Sequence, residues 1–160
     1  MDLYLLRHGE AEPRTTAVAE AARELTPKGR EDVRRVIKLA RGVKLAPDVI
    51  LTSPYARARA TAEIAAKVLG VAQIRESRSL LPNAKPEAIW KELQTLDSSA
   101  QVLLVGHEPH LSNLLAFLIG VTAPIEIKKG ALLRVRVNGA GDVPEGQLKW
   151  LLPPSLTHLK

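Results

Sequence analysis

The chain contains no cysteine. Disulfides, thiolate metal centres and thiol nucleophiles are therefore excluded, although the absence does not fix the compartment. Aromatic residues make up only 3% of the sequence, against 46% hydrophobic residues overall. The core must be built mainly from Leu, Val, Ile and Ala. No apolar run is long enough to span a bilayer: the longest, Leu111 to Val121, is interrupted by Ser112 and Asn113. The first nine residues lack the charged-then-apolar layout of a secretory leader. A cytoplasmic protein without membrane contact is expected, its 160 residues forming one domain over residues 1–160.

Acidic residues are in the minority, 17 against 23 Lys and Arg, for a formal charge of +6 and a pI near 9.8. Such a surface suits an anionic partner. The basic residues are scattered, with no dense run and no interleaved aromatics, so no nucleic-acid partner is expected.

No internal repeat or low-complexity segment is present. Residues 2–6 read as a short buried strand. Residues 9–25 read as a loop with a helical piece. Thr26-Pro27 opens a helix as N-cap and first residue, with Val33, Val36, Ile37 and Ala40 as its apolar stripe and Gly42 as its end. Residues 48–52 read as a strand. Ser53-Pro54 repeats the cap-and-proline signal for a helix running to Gly70. Residues 71–75 form a weak strand, 86–96 a helix, 101–105 a strongly apolar strand, and 111–119 a helix closed by Gly120. Residues 131–138 and 147–152 read as strands joined by the Gly-rich segment 139–146, with Leu133, Val135 and Val137 on the buried face. Alternating strands and helices predict an α/β fold, a three-layer α/β/α domain with a mostly parallel central sheet.

In such sheets ligands sit beyond the carboxyl ends of the strands. There the sequence places Arg7-His8-Gly9, Ser53-Pro54-Tyr55-Ala56-Arg57 and Gly106-His107-Glu108-Pro109. Helix geometry separates two arginines. At about 100° per residue, Thr61, Ile64 and Val68 lie close to the direction of Arg57, whereas Arg59 points to the opposite side. Arg57 therefore continues the buried stripe, where it needs an anion to offset its desolvation, and a helix N-terminus suits phosphate. Arg59 is expected at the surface. His8 has two readings: a structural histidine bonded to its neighbours, or a nucleophile, neutral, with one ring nitrogen free and the other donating to a carbonyl. Arg7, Gly9 and the second histidine at a neighbouring strand end favour the nucleophile. The run His107-Glu108-Pro109-His110 hints at zinc, but Pro109 breaks the helical spacing and the arginines would repel a cation. No metal and no cofactor are expected, and His110 and His158 are read as structural or surface residues.

These residues together resemble the histidine phosphatase, or phosphoglycerate mutase-like, superfamily. Arg7-His8-Gly9 resembles its signature. Leu25-Thr26 with Gly29 resembles its L-T-x-x-G helix start, Ser53-Pro54 with Arg57-Ala58 and Thr61 its S-P-x-x-R-A-x-x-T, and Val105-Gly106-His107 its second histidine motif. The short chain, Gly106-His107-Glu108-Pro109 and Lys128-Lys129-Gly130-Ala131 look most like the SixA branch of phosphohistidine phosphatases. The resemblance implies that His8 accepts the phosphoryl group, and that Arg7, Arg57 and His107 grip its oxygens without a metal. Gly9, Glu76 and Glu108 are minor candidates.

Relatives acting on phosphate esters carry a glutamate acid after the third strand, where this chain reads Leu80-Leu81-Pro82-Asn83. An alkoxide leaving group needs such an acid; a phosphorus–nitrogen bond to imidazole needs it less. The implied substrate is thus a phosphohistidine-bearing protein, handled by a monomer or weak dimer. The alternatives are a small-molecule phosphomonoesterase, for which Glu76 or Glu108 should matter, and a non-catalytic basic binding module.

Overall fold

The computed structural model describes residues 1–123, 125–138 and 141–158. Its strands are β1 (Asp2–Arg7), β2 (Val49–Thr52), β3 (Ile74–Glu76), β4 (Gln101–Gly106), β5 (Leu132–Asn138) and β6 (Glu145–Leu152). Its α-helices are α1 (Pro27–Gly42), α2 (Ala56–Leu69), α3 (Pro86–Leu93) and α4 (His110–Ile119). The strands form one sheet in the order β3-β2-β4-β1-β5-β6. β1, β2, β3 and β4 are mutually parallel, while β5 runs antiparallel to both β1 and β6. The crossover helices bury both sheet faces, so the central strands are apolar on both sides. Leu3 and Leu5 of β1 pack with Leu93, Leu111 and Leu115 beneath α3 and α4. Tyr4 and Leu6 pack with Val33, Ile37 and Ala62 beneath α1 and α2. This period-two alternation makes β1 the middle of a three-layer α/β/α structure. None of the described helices is long and apolar enough to cross a membrane.

The start of α1 follows its sequence signal. Thr26 Oγ1 accepts from the Gly29 backbone N–H at 2.9 Å, and Pro27 opens the helix. The start of α2 does not. It begins at Ala56 after Tyr55, without a side-chain cap. The Ser53 hydroxyl is engaged instead by the His107 ring at 2.7 Å and by the Tyr55 N–H at 3.4 Å, so the cap expected at Ser53 is spent on tertiary structure. The weak strand is displaced to β3 and its three residues are exposed, because only Ile74, Arg75 and Glu76 are in register with β2. α3 ends at Leu93, three residues early, with Gln94 as its cap. Gly70 and Gly120 end α2 and α4 in the left-handed conformation; after α1 that conformation falls on Lys44, not on Gly42. Residues 9–25 hold a 3-10 turn, Glu20–Ala22, and an isolated bridge between Ala11 and Leu25. Of the Gly-rich segment, Gly139 and Ala140 lie outside the described residues.

Two glycines set the approach of α1 to the loop after β1. A Cβ on Gly29 would strike the Glu10 backbone, and one on Gly9 would lie 2.7 Å from the Gly29 carbonyl oxygen. Backbone packed on backbone has no flexible end to yield. Gly29→Ala is expected to lower stability by about 2–3 kcal/mol, although alanine is the better helix former by about 1 kcal/mol. The urea midpoint measures it, and an unchanged or raised midpoint would show that the loop gives way.

Candidate active site

The parallel strands deliver their chemistry at one edge. β1 ends in Arg7 and His8, β4 in Gly106 and His107, and β2 in Thr52 and Ser53, with Arg7 and Gly106 side by side in the β1–β4 register. The loop after β1 is pinned from several sides. The His8 N–H donates to the Gly106 carbonyl at 3.1 Å, the Gly9 N–H to Thr61 Oγ1 at 3.2 Å, and Thr61 Oγ1 itself donates to the Arg57 carbonyl at 2.7 Å. Thr61 thereby ties the first helical turn of α2 to the backbone beside His8.

The His8 ring is buried and its tautomer is fixed. Nδ1 lies 2.7 Å from the Gly9 carbonyl oxygen, which only accepts, so Nδ1 carries the proton. Nε2 is left with its lone pair, toward which Arg57 Nε donates at 3.2 Å. Burial pushes the His8 pKa down to about 3, against the pull of the Gly9 hydrogen bond and with the cations of Arg57, Arg7 and Lys129 adding to the drop. The imidazole is neutral at ordinary pH.

The His107 ring lies 5.0 Å from that of His8, centroid to centroid, at 56°. Burial, then the neighbouring His8 and Arg57, depress its pKa to about 2. It therefore brings a polar N–H to the site and no charge. One nitrogen, Nε2, meets Ser53 Oγ; Nδ1 is buried and unpartnered among the described residues. The Tyr55 ring stands edge-on to His107 at 5.1 Å and also flanks the Arg57 guanidinium at 5.1 Å.

The charge comes from the arginines. Arg57 is 4% exposed, on the buried side of α2 as its position in the helix requires. Arg59 is half exposed and pairs with Glu76 at 3.1 Å. The Glu76 carboxylate is thus occupied at the surface and does not reach the histidines. Arg7 Nη1 donates to the Ile127 carbonyl at 2.7 Å, while its Nε is buried without a partner among the described residues. Glu108 is half-buried, its Oε2 bound by the Ser112 hydroxyl and its Oε1 unpartnered among the described residues. Burial raises its pKa, with Ser112 and Arg7 opposing. His110 is fully buried in the first turn of α4, and His158 is exposed beside Arg35 and Asp32.

Two residues here were given no role at the site by the sequence. Lys129 is held at the rim because the following Gly130 N–H donates to the carbonyls of both Arg7 and His8, at 3.1 and 3.0 Å. Glu20 reaches Arg57 from the turn in the 9–25 loop. The Lys-Lys-Gly run was visible as a motif without a role, and nothing in the irregular 9–25 stretch marks Glu20.

The family model of the histidine phosphatase superfamily (branch 1) matches residues 3–80, from β1 through the turn after β3. The chain is 32% identical to an uncharacterized protein of Picosynechococcus sp., over 96% of this chain and all of that one. It is 26% identical to the phosphohistidine phosphatase SixA of Escherichia coli (strain K12), over 96% and 94% of the two chains. The solved structure of the protein histidine phosphatase SixA complexed with tungstate superposes with a TM-score of 0.89 at 25% identity, covering 98% of this chain and 99% of that one. Sequence likeness along the whole chain and a shared fold that sets two histidines at the ends of adjacent parallel strands lead to one assignment: the chain belongs to the histidine phosphatase superfamily and is a phosphatase resembling its SixA members.

Proposed function

We propose that the protein removes phosphate from phosphohistidine on a protein substrate, through a phosphoryl group carried on His8 Nε2. The observation that carries this reading is the His8 ring: Nδ1–H is locked on the Gly9 carbonyl, and the Nε2 lone pair lies beside the Arg57 guanidinium. An entering phosphoryl group takes over the Arg57 N–H with one of its oxygens and releases the lone pair. Nε2 then bonds to phosphorus as the bond to the substrate nitrogen breaks, and the departing imidazole takes a proton from solvent. Positive charge arising on the His8 ring is shared with the Gly9 carbonyl through Nδ1–H. Water attacks the phosphorylated His8 in the second step, giving inorganic phosphate and the neutral imidazole. Arg7 and Arg57 offset charge on the equatorial oxygens, and His107 adds an N–H from Nδ1 when Ser53 donates to Nε2. These groups surround the phosphate with fixed donors, so no step needs a metal.

The leaving group supports the choice of substrate. Glu76 is held by Arg59, Glu20 by arginines, and Glu108 by Ser112. Glu76 and Glu20 are therefore not free acids for an alkoxide, and Glu108, whose pKa burial raises and whose Oε1 has no partner among the described residues, is the carboxyl left to test. Tungstate, the ligand named for the SixA structure, is a tetrahedral oxyanion like phosphate and fits such a cradle. The metal-free protein is expected to dephosphorylate a phosphohistidine-bearing protein at least tenfold more efficiently, in kcat/KM, than any of a panel of sugar phosphates. A preference for the sugars, lost in Glu108→Gln, would replace this reading with a small-molecule phosphomonoesterase.

A further inference from the structure

Glu20 is bonded to a guanidinium that the reaction needs. Arg57 Nη1 donates to the Glu20 backbone carbonyl at 2.8 Å, and Nη2 to the Glu20 carboxylate at 3.1 Å. Its Nε is thereby aimed at His8 Nε2. The carboxylate is tied down in turn: Arg23 Nη1 reaches it at 2.8 Å and Arg14 Nε at 3.4 Å. Arg23 is itself held by the Glu12 carbonyl at 2.9 Å. Against the upward pull of desolvation, the Arg23 hydrogen bond and the charges of Arg23, Arg57 and Arg14 keep the Glu20 pKa below its usual range. The group is ionised at neutral pH, and so unsuited to donate a proton.

Such a carboxylate has two physical consequences. Arg57 has almost no freedom to rotate, because one residue receives both of its terminal nitrogens. The charge presented to phosphate is also reduced, since a negative group lies against one of the two guanidinium ions expected to grip it. A phosphatase must release a phosphate dianion from the site that bound the substrate's phosphoryl group, and every uncompensated cation slows that departure.

We propose that Glu20 is a positioning residue for Arg57 that also trims the positive charge of the phosphate site, so that the product leaves. This deepens the reading of the site as a phosphatase centre and rests on it. The two effects separate by substitution. In Glu20→Gln the backbone carbonyl and the side-chain oxygen still receive Arg57, but the charge is gone. In Glu20→Ala the charge and the side-chain bond are both lost.

Inorganic phosphate titrated into each protein by calorimetry at low salt and pH 7.5 measures the charge effect. Both variants are expected to bind phosphate about five- to tenfold tighter than wild type, with the gain shrinking as salt is added. On a phosphohistidine-bearing protein, kcat is expected to fall about tenfold further in Glu20→Ala than in Glu20→Gln. A purely structural role predicts weaker phosphate binding and falls that follow the melting temperature, which is recorded alongside. Phosphate binding to Glu20→Gln no tighter than to wild type overturns the charge role, and equal kcat losses in the two variants overturn the positioning role. The phosphate titration needs no turnover, so it judges Glu20 even if wild type forms no phosphorylated His8. A missing phosphoenzyme sinks the catalytic reading and leaves the titration result standing.

Discussion

His8→Ala is expected to abolish the phosphorylated enzyme and to lower turnover by a factor on the order of 10⁴ or more. The expectation follows from the ring's surroundings. No other described side chain combines a fixed tautomer, a neutral ring and a lone pair next to a guanidinium. His107 is also neutral, but its Nε2 is tied to Ser53, so it does not substitute as nucleophile. His107→Ala should keep the phosphoenzyme and slow its formation by about 10²–10³, the usual cost of losing one donor to a developing anion. Rapid mixing with labelled substrate, quenching in alkali and counting protein-bound phosphate separates the two variants. Label that survives in His8→Ala would place the nucleophile elsewhere. The pH profile adds a second readout. With a His8 pKa near 3, the nucleophile is not lost by protonation between pH 5 and pH 8, so an acid limb near pH 6.5 would contradict the buried, neutral ring.

Most of what positions this site is local, and local signals can be read. Arg57 was separable from Arg59 because 3.6-residue periodicity puts them on opposite sides of α2, and the structure buries the first and pairs the second with Glu76 at the surface. The clustering of Arg7, His8, Arg57 and His107 followed from the rule that parallel strands present their carboxyl ends together. The failures share one cause, a side chain whose partner is distant in sequence. Ser53 carries a sound capping signal, yet its hydroxyl goes to His107 just beyond the end of β4. Glu20 sits in a stretch without periodicity, and only the folded chain shows that it faces Arg57, 37 residues away. Gly29 matched a family motif, but its necessity is a clash with the Glu10 backbone that no spacing reveals. The start of α2 moved to Ala56 because His107 claims the Ser53 hydroxyl, whereas α3 ends at Leu93 because the chain tightens there into three-residue turns, with the Thr95 N–H on the Glu92 carbonyl and the Leu96 N–H on the Leu93 carbonyl.

Acid should unfold this protein steeply, well above the pH at which carboxylates alone would do so. Three histidines are buried and neutral: burial, the leading cause in each, brings His8 to about 3, His107 to about 2 and His110 to about 4. In the unfolded chain each titrates near 6.5. The sign follows directly. A folded pKa below the unfolded one means that the unfolded state binds the extra proton, so the stabilising contribution is complete above about pH 6.5 and is lost as pH falls toward the folded values. Each proton is worth about 1.4 kcal/mol per pH unit, so three give a slope approaching about 4 kcal/mol per unit between roughly pH 6 and pH 4. Against a stability of about 5–15 kcal/mol, two units are enough to remove much or all of it. Glu108, its pKa raised chiefly by burial, works in the opposite direction as one group against three. Asp2, held low by Arg134 and Arg136 against desolvation, adds to the loss only at lower pH. Urea midpoints at pH 7, 6 and 5 should fall steeply, and His110→Leu, which removes one of the three protons, should flatten the slope by about a third. A midpoint that stays level from pH 7 to pH 5 would mean that these rings are hydrated or charged in the folded protein, and the neutral nucleophile would go with them.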